Sequence, residues 1–469
     1  MSESTTQMTS SQNKEYKKLF GTDGIRGTSN QFPMVPDVVV KIGQAIGYLI
    51  RTKKIGSASA IQKVVIGKDT RLSGYMIEQA LSSGLNSMGI YVQLVGPLPT
   101  PGIGYLTRTM RAAAGIVISA SHNAYQDNGI KIFGPSGFKL DDYLEKEIEA
   151  LIAKDDLLRL LPPSKDIGRT RRIEDAQGRY IVHAKSIFPL ENSLDGMRIV
   201  LDTAHGAAYK VAPAIFEELG AEVILLGHQP NGTNINDKSG ALHPIQISQA
   251  VVQYRADVGI GLDGDADRIV MVDEKGHILN GDHILAICAI HMKNKNQLKN
   301  NTLVVTQMSN FGLEKKMKSE GIKVVKTNVG DKYVVDEMRK NNYNLGGEQS
   351  GHIIFLDHST TGDGTVAGLS VLAVMRETGK KMSELSNLFQ DMPQVLINCR
   401  VRQTAELSEI KGYNDLISKK EKQLGSEGRL FIRFSGTEPL IRVLVEGSNK
   451  NEITQIAEEI ASFLEKELS

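Results

Sequence analysis

Cysteine is scarce in this sequence: Cys288 and Cys399 are the only two in 469 residues. Neither has a partner at metal-ligand spacing, and two thiols cannot build the disulfide framework of a small secreted domain. They read as reduced, buried thiols of a cytoplasmic protein. An excess of charge of one sign is also lacking. With 55 Lys and Arg against 54 Asp and Glu, the formal net charge is +1, so no broad field favours nucleic acid or a membrane surface. No apolar run reaches the roughly 18 residues that mark a membrane-spanning helix. The first residues lack the apolar core of a secretory signal. They are rich in Ser, Thr and Gln, and residues 1–15 are expected to form a disordered tail.

What is there is ordinary globular material: 41% hydrophobic and 23% charged residues. The length exceeds a single core, so about two to four domains are expected. One plan recurs three times. Lys63 to Gly96 reads as a strand, a polar loop (KDTRLSG), a helix, Gly89 and a second strand. Arg198 to Gly227 and Asn301 to Val329 repeat it, with Gly220 and Gly321 closing the helices. Glycine at a helix C-terminus supplies the left-handed turn, and a strand-helix-strand crossover implies parallel pairing. Three such units more than 100 residues apart, a spacing of domain size, predict three α/β domains on one plan. The last ~75 residues, the length left beyond the Asp391-Met392-Pro393 turn, predict a smaller α+β domain.

Four loops carry chemistry. Gly115 to Leu140 opens on a buried strand, stops at Ser121-His122-Asn123 and returns through a second strand bearing Lys131. It presents a hydroxyl, an imidazole and an amine, the groups a nucleophile or a phosphorylated hydroxyl needs around it. Asp263, Asp265 and Asp267 alternate in GLDGDADRIVMVD. In extended backbone, i, i+2 and i+4 share a side, and three converging carboxylates call for a hard cation such as Mg²⁺. An EF-hand is rejected, since its sixth place is Arg268 rather than Gly and an apolar run follows. In GGEQSGH, Glu348 and Ser350 can face a polyhydroxyl together. In RLFIRFSGTEPLIR, Arg433 with Ser435, Gly436 and Thr437 forms a candidate anion nest with an Arg clamp. Arg26, in the Gly-rich stretch KLFGTDGIRG, is a further candidate phosphate contact. The role of the loop Thr360 to Gly364 is not readable.

Taken together, GTDGIRG, ISASHN, DNGIK, DGDADR, GGEQSGH and SGTEPLIRV resemble the α-D-phosphohexomutase superfamily, in order and over about residues 16–469. The resemblance implies four domains around a central cleft: three of a mixed α/β sandwich plan, and a smaller, mobile α+β (TBP-like) fourth. Expected boundaries are 16–165 (phosphoserine), 166–278 (metal), 279–391 (sugar recognition) and 392–469 (phosphate binding). It implies a cytoplasmic isomerase that interconverts glucosamine 6-phosphate and glucosamine 1-phosphate for UDP-N-acetylglucosamine and peptidoglycan precursor synthesis. A phosphosugar is then the partner, and a homodimer is compatible with it. By position, Ser121 resembles the phosphoserine, and its phosphate would join Asp263, Asp265 and Asp267 on one Mg²⁺ per site. A hexosamine 1,6-bisphosphate would be the intermediate. Lys131 and His122 resemble acid/base groups, with Lys131 as the expected base through a pKa lowered by neighbouring cations. Arg26 and Arg268 resemble supporting cations, Glu348 and Ser350 the sugar contacts, and Arg433, Ser435, Gly436 and Thr437 the phosphate clamp. Two departures stand out: Ala124 replaces the usual Pro after Ser-His-Asn, and Asn231 to Pro244 follows the pattern only in part. Glucose or mannose phosphates, a sugar phosphatase and a non-catalytic sugar-phosphate-binding protein are the rival readings.

Overall fold

The run Val64-Val65-Ile66 sits inside the strand Ile61–Lys68, and its side chains alternate between two covered faces. Val64 and Ile66 pack toward the helices Pro36–Arg51 and Ser73–Ser87. Val65 packs on the opposite face with Ile103 and Leu106. A stretch of strand buried on both sides must be continuously apolar, and Val64 to Ile66 is. The computed structural model describes residues 18–21, 23–56, 61–154, 156–401, 406–434 and 440–468. The expected tail 1–15 and the sequence-predicted site residues Ser435, Gly436 and Thr437 lie outside the described residues.

The three repeated units form as the sequence predicts. Ile61–Lys68 pairs parallel to Tyr91–Pro97, Arg198–Asp202 to Glu222–Leu226, and Thr302–Thr306 to Lys323–Thr327. The helix in each ends at a glycine in the left-handed region: Gly89 (φ 87°), Gly220 (φ 101°) and Gly321 (φ 66°). Around these units lie a seven-, a five- and a four-stranded sheet. Each is mixed, because antiparallel strands join the parallel centre. The short strand Thr170–Arg172, beyond residue 165, adds to the edge of the first sheet beside Tyr91–Pro97. The last unit is a three-stranded antiparallel sheet, Gln394–Arg400, Leu440–Gly447 and Gly428–Phe434, packed with the helices Tyr413–Leu424 and Lys450–Glu467. The fold is therefore α/β in three units and α+β in a smaller fourth.

One apolar cluster runs through all of the first three units, from Val65 and Ile103 through Ile260 and Phe216 to Leu303 and Leu372. The fourth unit has a separate core around Val443, Ile456 and Ile460. Its ties to the rest are polar: Met392 N donates to Asn310 Oδ1 at 2.9 Å, and Arg429 Nη2 donates to Ser309 O. The loop Thr360 to Gly364 proves structural. Thr360 Oγ1 donates to Gly137 O at 2.5 Å, and Asp363 caps the helix Gly364–Thr378 while accepting from the Tyr180 hydroxyl at 2.9 Å. Among the described residues, no helix is long and apolar enough to cross a membrane.

Candidate active site

The fully buried strand Ala112–Ile118 ends just before Ser121. Ser121 is 2% exposed and adopts φ 52°, a region that non-glycine residues rarely occupy. Its backbone N–H donates to Ser119 Oγ at 2.9 Å. Its hydroxyl donates to Asp263 Oδ2 at 2.8 Å, and His122 Nδ1 lies 3.4 Å from the same oxygen. Burial, then the nearby Arg268 and Arg26, pulls the His122 imidazole down to about 4. At neutral pH the ring is uncharged and one nitrogen can accept a proton.

Asp263, Asp265 and Asp267 sit between the antiparallel strands Val258–Leu262 and Ile269–Asp273. One carboxylate oxygen from each lies within 4.8 Å of the others. They converge as expected, but the extended backbone invoked for it is corrected. The segment is a tight turn, closed by Ala266 N to Asp263 O at 3.0 Å with Ala266 at φ 57°. All three side chains are buried, and Asp265 Oδ1 and Asp267 Oδ1 have no hydrogen-bond partner. Burial, then Asp267 and Asp265, pushes the Asp263 carboxyl up to about 8. Buried hard acceptors without donors, plus mutual repulsion, are what a divalent cation relieves. The strands on both sides also exclude the EF-hand helices.

Lys131 comes from the strand Asp127–Phe133, directly opposite Val117. The expectation of a lowered pKa is overturned. Burial acts downward, but Asp23, Asp265 and Asp267 outweigh it and hold the ammonium well above its usual range. Its Nζ lies 2.9 Å from Asp265, 3.4 Å from Asp267 and 3.3 Å from Asp23. Lys131 is thus an ammonium paired with three carboxylates. Neighbouring cations alone would lower its pKa; Asp23, within GTDGIRG, is the carboxylate that helps reverse the direction. Arg26, on the strand Gly24–Thr28, pairs with the same Asp23 at 2.5 Å.

The charges close into a ring. Asp23 meets Lys131 (3.3 Å), Lys131 meets Asp267 (3.4 Å), and Asp267 meets His352 (3.6 Å). His352 meets Asp331 (3.3 Å), Asp331 meets Lys139 (2.6 Å), and Lys139 returns to Asp23 (2.5 Å). Burial lowers the His352 imidazole, but Asp267 and Asp331 outweigh it and bring it up to about 9. Alternating charges from three units can each satisfy the next inside a low-dielectric site. His352 was within the GGEQSGH motif; Lys139 and Asp331 carried no signal.

A cavity of about 620 Å³ lies beside this cluster, lined among others by Arg268, Glu348, Ser350, Arg433 and Arg442. Ser350 Oγ donates to Glu348 Oε2 at 3.3 Å, so the two share a side as the spacing predicts. Arg268 belongs to both places, since its backbone N–H donates to Asp263 Oδ1 at 3.2 Å. Arg433 and Arg442 face each other across paired strands, and burial followed by Arg442 pulls the Arg433 guanidinium below its usual value. Opposed like charges favour an anion between them. Arg442 was missed, although it ends the quoted stretch. The structure thus gathers Ser121, His122, Lys131 and the three aspartates in one cluster, and Arg268, Glu348, Ser350 and Arg433 around one cavity.

Four family descriptions match consecutive parts of the chain. These are phosphoglucomutase/phosphomannomutase alpha/beta/alpha domain I (residues 17–159), domain II (178–276), domain III (280–392) and the C-terminal domain (396–463). A phosphoglucosamine mutase of Bdellovibrio bacteriovorus is 74% identical over 96% of this chain and 99% of its own length. One of Geobacter metallireducens is 56% identical over 96% and 99%. A phosphoglucomutase/phosphomannomutase family protein from Burkholderia thailandensis shares the fold at TM-score 0.77 and 21% identity, covering 96% of this chain and 97% of its own. Aspergillus fumigatus N-acetylphosphoglucosamine mutase, solved with GlcNAc-6P and magnesium, does so at 0.65 and 16%, covering 96% of each.

Proposed function

This chain belongs to the phosphoglucomutase/phosphomannomutase family, and from that we infer an isomerase that interconverts glucosamine 6-phosphate and glucosamine 1-phosphate. The high identity of full-length phosphoglucosamine mutases supports that substrate pair. The single observation that carries the mechanism is the hydroxyl of Ser121 donating at 2.8 Å to one of three convergent buried carboxylates. Ser121 is the phosphoryl carrier in this reading, and the reaction passes through a hexosamine 1,6-bisphosphate. Asp263, Asp265 and Asp267 would hold Mg²⁺, which when bound would neutralise charge on the phosphoryl group at Ser121.

The chain's own groups do the rest. Glu348 and Ser350 hold the sugar hydroxyls, and Arg433, with Ser435, Gly436 and Thr437, holds the phosphate that does not move. Arg26, Arg268 and the Lys131 ammonium spread positive charge around the one that does. A sugar hydroxyl attacks phosphorus, the bond from phosphorus to Ser121 Oγ breaks, and the proton released by the sugar hydroxyl ends on the departing Ser121 Oγ, relayed by His122, whose Nδ1 stands 3.4 Å from that oxygen. The bisphosphate then turns over and returns its other phosphate to Ser121. The domain division at 165/166, 278/279 and 391/392 is part of this reading, with the first linker returning the strand Thr170–Arg172 to the sheet it leaves. We place the activity in the cytoplasm. Replacing the nucleophile tests the reading: Ser121→Ala should lower isomerase kcat roughly a thousandfold or more. A variant with near-normal turnover removes Ser121 from the mechanism.

A further inference from the structure

The Arg71 guanidinium is completely buried, in the polar loop between the strand Ile61–Lys68 and the helix Ser73–Ser87. All five of its N–H groups are used. Nε donates to Asp69 Oδ2 at 2.8 Å. The other four go to backbone carbonyls of one loop: Nη2 to Ser121 O and Asn123 O, both at 2.9 Å, and Nη1 to Asp127 O at 3.1 Å and to Ala124 O. Asp69 neutralises the charge and also accepts from Ser119 Oγ at 2.6 Å. The second unit reaches the same loop. Asn236, in the stretch Asn231 to Pro244 whose role the sequence left open, donates through Nδ2 to Ser121 O (2.9 Å) and Asn123 O (3.1 Å). Gly264, between two of the aspartates, makes room: a Cβ there would stand 2.6 Å from Ser121 O and 2.8 Å from Asn236 Nδ2.

We propose that Arg71 and Asn236 are positioning residues which grip the carbonyls of Ser121 and Asn123 from two units and so hold the Ser121 hydroxyl on the aspartate triad. The inference rests on the reading of Ser121 as the phosphoryl carrier. The physical need is plain. Ser121 stands at φ 52°, and an ungripped loop relaxes toward negative φ, which swings Oγ away from Asp263. Ala124 occupies the place where the resemblance expects Pro, so this loop has no ring to stiffen it. The guanidinium fork and the amide supply from outside the rigidity the sequence lacks.

Asn236→Ala and Arg71→Lys are compared with the parent and with Ser121→Ala. Four quantities are read: kcat, KM for glucosamine 6-phosphate, melting temperature, and the rate at which dephosphorylated enzyme takes a phosphoryl group from a hexosamine 1,6-bisphosphate, followed by intact mass after rapid quenching. Asn236→Ala should lose at least tenfold in kcat and in phosphoryl uptake together. Arg71→Lys should lose more, and KM should stay within about twofold because the sugar contacts lie elsewhere. The double variant should lose less than the product of the two, since both act on the same carbonyls. Folded Asn236→Ala enzyme with kcat and uptake within twofold of the parent overturns the proposal, whether or not Arg71→Lys folds. If Ser121→Ala itself turns over normally, the carrier reading falls instead.

Discussion

At the scale of single residues, the site is a problem of charge. Asp263, Asp265 and Asp267 are buried together; Asp265 Oδ1 has no hydrogen-bond partner, and Asp267 Oδ1 has only His352 at 3.6 Å. Lys131 answers only part of that charge, because it is shared with Asp23. Exhaustive EDTA treatment should therefore cut isomerase turnover at least about a hundredfold, the order expected for losing an electrostatic clamp on the phosphoryl group, and added Mg²⁺ should restore it. Full activity in the chelated enzyme contradicts the metal assignment. The motif residues were legible because each loop is a short string of unusual side chains. Their charge state was not. The groups that fix Lys131 come from more than 100 positions away in either direction, and only folding places Asp23 and Asp265 around it. Arg71 was hidden for a related reason. Apart from Asp69, its partners are backbone carbonyls, which have no identity in a sequence.

At the scale of elements, the strand-helix-glycine-strand units were readable because an apolar β-branched run and a helix-ending glycine are local signals. The aspartate turn was not. Ala266 takes φ 57° with neither Gly nor Asn to announce it, so the carboxylates converge through a turn and not through strand alternation. The strands Gly24–Thr28 and Thr170–Arg172, the second at the sheet edge, also escaped, being short and polar. A pH dependence belongs at this scale. Asp282, in the first turn of the helix Gly281–Asn294, accepts from Asn310 N at 2.7 Å through one oxygen and has no partner for the other. Burial chiefly, with Asp391 and Glu446 adding repulsion, pushes its carboxyl up to about 7. The folded state then binds a proton that the unfolded chain releases near 4, so its contribution is present at low pH and is lost as pH rises through about 7. Asp282→Asn should raise the urea midpoint relative to the parent more at pH 8 than at pH 5. An equal difference at both values refutes the assignment.

At the scale of the molecule, two kinds of junction coexist. The first three units share one apolar core and so form one body that carries Ser121, the three aspartates, Glu348 and Ser350. The fourth, bearing Arg433 and Arg442, has its own core and polar ties to the rest. A bisphosphate that must turn over needs this division, with a fixed phosphoryl site and a clamp that can release and regrip. The separate style of the last ~75 residues, counted from the Asp391 turn by domain-scale reasoning, was legible in the sequence. The fusion of the other three was not, because each reads as a unit that could stand alone. The whole account turns on one phosphoryl group that stays with the protein through turnover. Intact mass of the active enzyme, before and after equilibration with glucosamine 6-phosphate, with peptide mapping, measures it directly. The account predicts a chain carrying at most one phosphoryl group, located on Ser121 and present in the active fraction. An active enzyme with no phosphoryl group, or with one on a residue outside this cluster, contradicts it.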